Sequence, residues 1–234
     1  MNESPQGLIS RLFDAERAAR DLHSSLVDLD PGALLPALRA AYSEAVKLDD
    51  EDEVALRLVR IATVLGELEG DATVDLLIDI LDHDDPEARH AAGEALQDLA
   101  FDRLKEVALG TERALERLPK GSVALSELPY LYANVGEPSA RKLLERFLGH
   151  ADESAVASAI EALVEMGDAQ AVNALRALVD DAREVDLASE DDEEEGGRVR
   201  LGELAREAIT MLGGRVDDGR PPPRGAAGRP RPRG

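Results

Sequence analysis

The sequence predicts an all-α chain: an α-solenoid of about five helical pairs with an N-terminal capping helix. Three observations predict it. First, a block of about 33 residues recurs, in which an apolar helix ends at Gly-Asp or Gly-Glu and a second helix follows. Gly70-Asp71-Ala72, Gly136-Glu137-Pro138 and Gly167-Asp168-Ala169 mark the same joint, and Thr73 to Leu99 lies over Ala140 to Met166 at an offset of 67 without a gap. Units repeated at this period cannot bury their apolar faces alone and stack on their neighbours. Second, 44% of the 234 residues are hydrophobic but only 3% are aromatic, with no Trp. The core must therefore come from Leu, Ala, Val and Ile, which suit close helix-on-helix packing. Third, capping residues fall at the same joints as the repeat.

The elements follow in order. Residues 1–30 hold a helix from about Gln6 to Val27, with Leu8, Leu12, Ala15, Ala19, Leu22 and Leu26 at helical spacing; the stripe is expected to be buried and to cap the open end of the array. Residues 31–214 form the solenoid. Its pairs run from Pro31 to Lys47 with Glu51 to Glu69, from Ala72 to Leu81 with Pro86 to Ala100, and from Asp102 to Leu118 with Ser122 to Val135. The fourth is Pro138 to Leu148 with Glu153 to Met166, and the fifth Ala169 to about Arg183 with Arg198 to Leu212. Gly110 and Pro129 interrupt the third pair, and a break is expected at each. Asp85 before Pro86 is an N-cap followed by a first-turn proline, Gly136 and Gly167 stand where helix ends need a left-handed residue, and Gly213-Gly214 stops the last helix. An acidic insertion, expected to be disordered over about 184–197, separates the helices of the fifth pair, and residues 215–234 form a disordered Arg/Pro/Gly tail.

The formal net charge is −22, although the last twenty residues hold six arginines against Asp217 and Asp218. Such an acidic body repels phosphate backbones, which argues against nucleic acid as its partner, and it attracts a basic protein. The absence of Cys excludes disulfides, thiol catalysis and Cys-based zinc sites. No apolar run is long enough to span a bilayer, so the expected location is cytoplasmic, without a membrane partner. The oligomeric state is open.

The block Asp84 to Leu96, reading Asp-Asp-Pro-Glu-Ala-Arg-His-Ala-Ala-Gly-Glu-Ala-Leu, and the later run Met166 to Val172 resemble HEAT repeats, in particular the short bacterial type called PBS-lyase-like. The resemblance covers about Pro31 to Gly213 and is clearest in the second, fourth and fifth pairs. It implies an α-solenoid whose second (B) helices line the concave face. The family's helix-B arginine is matched at Arg89, while Val156 holds the equivalent place in the fourth pair, so no continuous arginine ladder is expected.

Enzymes on this fold can be tested residue by residue. The di-iron deoxyhypusine hydroxylases use His-Glu dipeptides, but the four histidines here precede Ser24, Asp84, Ala91 and Ala151. HEAT-type DNA glycosylases need a basic, aromatic groove, which this composition does not supply. His83 and His150, 67 apart in equivalent turns, stand too far apart to share a metal, at roughly 20 Å for layers of about 10 Å. No catalytic, cofactor-binding or metal-binding residue is assigned, and no cofactor is expected.

The leading reading is a non-enzymatic adaptor or scaffold that binds a protein partner, expected to be basic, through its concave and acidic surfaces. An acidic inhibitor or immunity protein for a basic toxin or nuclease is the first alternative, and a PBS-lyase-like enzyme subunit the second. Candidate partner-binding residues lie outward on B helices: Arg57 and Arg60, Arg89, His90 and Glu94, and the tyrosines Tyr130 and Tyr132 beside Pro129, which are either interface anchors or core. The run Glu190, Asp191, Asp192, Glu193, Glu194 and Glu195 is either a solvated loop or a docking site for the basic partner.

Overall fold

The computed structural model describes residues 4–133, 135, 137–186 and 197–215. Helix α1 (Pro5–Val27) precedes five layers. The first pairs α2 (Pro31–Ala45) with α3 (Glu51–Gly66), and the second pairs α4 (Asp71–Leu81) with the first half of α5 (Pro86–Arg117). The second half of α5 serves the third layer, facing α6 (Val123–Glu127) and α7 (Tyr130–Ala133). Then come α8 (Pro138–Phe147) with α9 (Glu153–Met166), and α10 (Val172–Leu175), flanked by single 3-10 turns, with α11 (Leu201–Met211). One apolar core runs through all five layers from Leu34 to Ile209, built mostly of Leu, Ala, Val and Ile. The fold is an all-α solenoid.

Aspartates start the helices where the sequence placed them. Asp30, Asp50, Asp85 and Asp152 each accept a hydrogen bond from the backbone N–H three residues on, which satisfies one of the free amides of a first turn. Gly167 ends α9 in the left-handed region at φ 68°.

Four expectations need correction. The stripe on α1 is not buried: no residue of that helix is, and Leu8, Leu12 and Leu22 are 53%, 58% and 66% exposed. His23 Nε2 to Glu67 Oε1, at 2.6 Å, ties α1 to the end of α3, and Val27 packs on the core. The break expected at Gly110 is absent. The non-helical residue of α5 is Arg103, at φ −137° and ψ 46°. Arg103 Nη2 donates to the Leu68 carbonyl at 3.0 Å and Glu106 accepts from Gly70 N–H at 2.5 Å, so the bend is held by the α3–α4 joint. Gly110 is instead a contact point, where a Cβ would collide with Val74 Cγ1. Pro129 does separate α6 from α7.

The long helix expected from Ala169 to about Arg183 stops at Leu178. The last correction concerns the insertion. Its flanks are ordered as an antiparallel ribbon, β1 (Glu184–Asp186) against β2 (Arg198–Arg200), so that α11 begins at Leu201 rather than Arg198. Val185 is buried opposite Val199, and Arg198 pairs with Asp186 at 3.0 Å across the strands. Apolar contact and opposite charge together offset the acidity of the run. Glu190, Asp191, Asp192, Glu193, Glu194 and Glu195, the joint residue Gly136, and residues 216–234 lie outside the described residues.

Candidate interaction groove on the B-helix face

The B helices α3, α5 (first half), α7, α9 and α11 stand side by side, and their outward residues form one face. A depression of about 460 Å³ lies between α5 and the α6–α7 segment, lined by Arg89, His90, Glu94 and Gln97 on one side and Glu127 and Tyr130 on the other. These positions converge because residues three and four apart share a helix face, and because Pro129 breaks the chain just before Tyr130. A second depression, of about 390 Å³, begins on the far side of Tyr130 and is lined by Ser154, Ala157, Ser158 and Glu161 of α9 with Asp186 of β1. Tyr130 is common to both, so the two depressions flank one ring and together mark a groove-like face across three layers.

Tyr130 is 41% exposed and donates its hydroxyl to Glu161 Oε2 at 2.5 Å. Partial burial, followed by that bond to a carboxylate, pushes its pKa up to about 12, so the phenol remains a neutral donor at physiological pH. His90 Nε2 lies 3.4 Å from Glu94 Oε1. Among the described residues, no Lys or Arg forms an ion pair with Glu94, Glu127 or Glu161, so three carboxylates stand around an aromatic ring with Arg89 as the one cation of the lining.

Arg89 is close by but occupied. Its Nη1 donates to the carbonyls of His83, at 3.2 Å, and Asp84, at 2.6 Å, closing the turn between α4 and α5. In the fourth layer the place of that arginine is taken by Val156, fully buried, and Arg183 from the following layer donates to the matching His150 carbonyl at 2.7 Å. His83 and His150 do the same local work, each Nδ1 accepting the backbone N–H two residues on at 3.1 Å. No group of three or more His, Cys, Asp or Glu among the described residues is placed to hold a metal.

The remaining candidates separate. Arg57 is paired with Glu53 at 2.7 Å, and it and Arg60 are exposed on α3, outside both depressions. Of the two alternatives for Tyr132, the structure shows core, which removes it from the candidate partner-binding residues: it is fully buried, and its hydroxyl lies 2.6 Å from Thr111 Oγ1. It points inward because Tyr130 two residues earlier in the same short helix points outward. Glu127, Ser158, Glu161 and Asp186 were missed in the sequence. A signal existed for α9, where Ser154, Ala157, Ser158 and Glu161 recur at helical spacing. No such signal marked Asp186, which depends on the ribbon.

A HEAT-repeat family model matches residues 123–190, from α6 through β1. Nothing among the curated proteins matches the chain. Similar solved structures include an engineered protein, 20% identical over 86% of this chain and 92% of that one at a TM-score of 0.34. A designed armadillo repeat protein is 15% identical over 82% and 98% at a TM-score of 0.34. Another, in complex with the peptide (KR)4, is 16% identical over 82% and 98% at the same score. No helix among the described residues is long and apolar enough to cross a membrane.

Proposed function

From the premise that the chain is a HEAT-repeat protein, we propose that it is a non-enzymatic adaptor that holds a basic segment of a protein partner in the groove across α5, α7 and α9. The observation that carries this reading is the set of carboxylates without Lys or Arg ion-pair partners among the described residues, Glu94, Glu127 and Glu161, arranged around the half-exposed ring of Tyr130. A Lys or Arg side chain entering beside Tyr130 gains attraction to the ring face as well as to the carboxylates. A net charge of −22 over the whole chain speeds the approach of such a partner.

The test is capture of the partner from native extract by tagged full-length protein, with low-salt and then high-salt washes, beside the Tyr130→Ala and Glu127→Gln/Glu161→Gln variants. One stoichiometric partner, released by high salt and reduced at least about tenfold by either variant, is the expected result, since a central aromatic or a charge pair is worth more than about 1.4 kcal/mol. A partner held equally well by wild type and both variants sinks the groove reading, and no reproducible partner sinks the adaptor reading.

A further inference from the structure

We propose that α1 is a self-association helix, whose apolar seam is covered by α1 of a second copy of this chain. Leu8, Leu12, Ala15, Ala19, Leu22 and Leu26 follow one another at intervals of four, three, four, three and four residues. That is a 3.5-residue period sustained over about three heptads, the spacing that keeps a seam facing the same seam on a partner helix in a left-handed supercoil. A helix lying on its own solenoid shows buried positions, as α2 and α3 do, and α1 has none.

The helix needs a cover. It spans 23 residues, carries Ile9 and Phe13 beside the seam at 52% and 60% exposure, and is tied to the body near its C-terminal end, through His23 and Val27. Exposed apolar stripes of this length mark interaction surfaces. The occupant that matches is another α1. In a parallel two-fold pairing every layer is self-matched: leucine meets leucine at positions 8, 12, 22 and 26, and alanine meets alanine at 15 and 19, where small side chains let the helices approach. The flanking charges agree, because residues five apart face each other across a parallel seam, and this sets Arg11 of one copy beside Glu16 of the other.

Sedimentation equilibrium of the full chain over a wide concentration range tests the proposal, beside Leu12→Glu/Leu22→Glu and a control, Met211→Glu, which changes an equally exposed residue of α11. Wild type and control should behave as reversible dimers. The double variant should dissociate at least about a hundredfold more easily, because each dimer loses four buried leucines. None of the replaced side chains is buried in the single chain, so circular dichroism should show the solenoid intact. A wild-type chain that stays monomeric at its highest soluble concentration overturns the proposal, and so does a double variant that dimerises as wild type does.

Discussion

A Cβ built on Gly110 would strike Val74 Cγ1 of α4, whereas at Gly93, also inside α5, the nearest atom is Leu81 Cδ1 at 3.9 Å. Helix propensity alone favours alanine over glycine at both positions by about 1 kcal/mol. At Gly93 that gain stands, and Gly93→Ala should stabilise the chain by about 0.5–1 kcal/mol. At Gly110 two helices would have to part inside a close-packed core, so Gly110→Ala should cost about 1–3 kcal/mol despite the better propensity. Urea denaturation of both variants checks the opposite signs. Loss of stability at Gly93 would mean that the α4–α5 contact is tighter than the free space there implies.

At the scale of elements, Arg183 joins the fifth layer to the fourth. It grips Asp181 with a side-chain bond of 2.7 Å while donating to the His150 carbonyl beyond. The guanidinium, bonded to Asp181, holds that carboxyl below its ordinary range, with burial opposing. A carboxyl depressed in the folded state adds stability above its unfolded pKa, near 4, and loses it as the pH falls through the lower folded value. Arg183→Ala should therefore cost about 1–2 kcal/mol at pH 7 and less near pH 3, measured by urea denaturation at the two values. An unchanged cost at both would place the whole effect in the bond to His150. The same elements show what was legible beforehand. α9 was readable to the residue, because Asp152 caps its start and Gly167 its end, both local signals. The bend at Arg103 was not, since it depends on contact with Leu68 and Gly70, some 35 residues away in the chain. Three-residue strands inside a charged run carry too little periodicity to be seen, so the ribbon escaped. In the groove, His90 and Glu94 were readable from helical spacing and Tyr130 stood out beside Pro129 with its side left open, but their convergence with Glu127 and Glu161 needed the stacking of layers, and Tyr132 needed knowledge of which side of α7 faces Thr111.

For the whole molecule, the two proposed interfaces differ in how they would meet a net charge of −22. A basic partner approaching the groove is attracted by the body, and screening removes that attraction as the Debye length shrinks from about 10 Å at 0.1 M salt to about 3 Å at 1 M. Two copies joining through α1 bring like-charged bodies together, so the same screening removes a repulsion, while the apolar seam itself is not weakened by salt. Raising the salt from about 0.05 M to about 0.5 M should thus loosen the groove complex and tighten the dimer in the same preparation. Sedimentation equilibrium of the chain alone, and titration of the captured basic partner into the Leu12→Glu/Leu22→Glu variant, measure the two responses apart. If both affinities moved in the same direction, charge would not be what separates the two surfaces. Opposite slopes would mean that a single acidic body tunes partner capture and self-association in opposite senses.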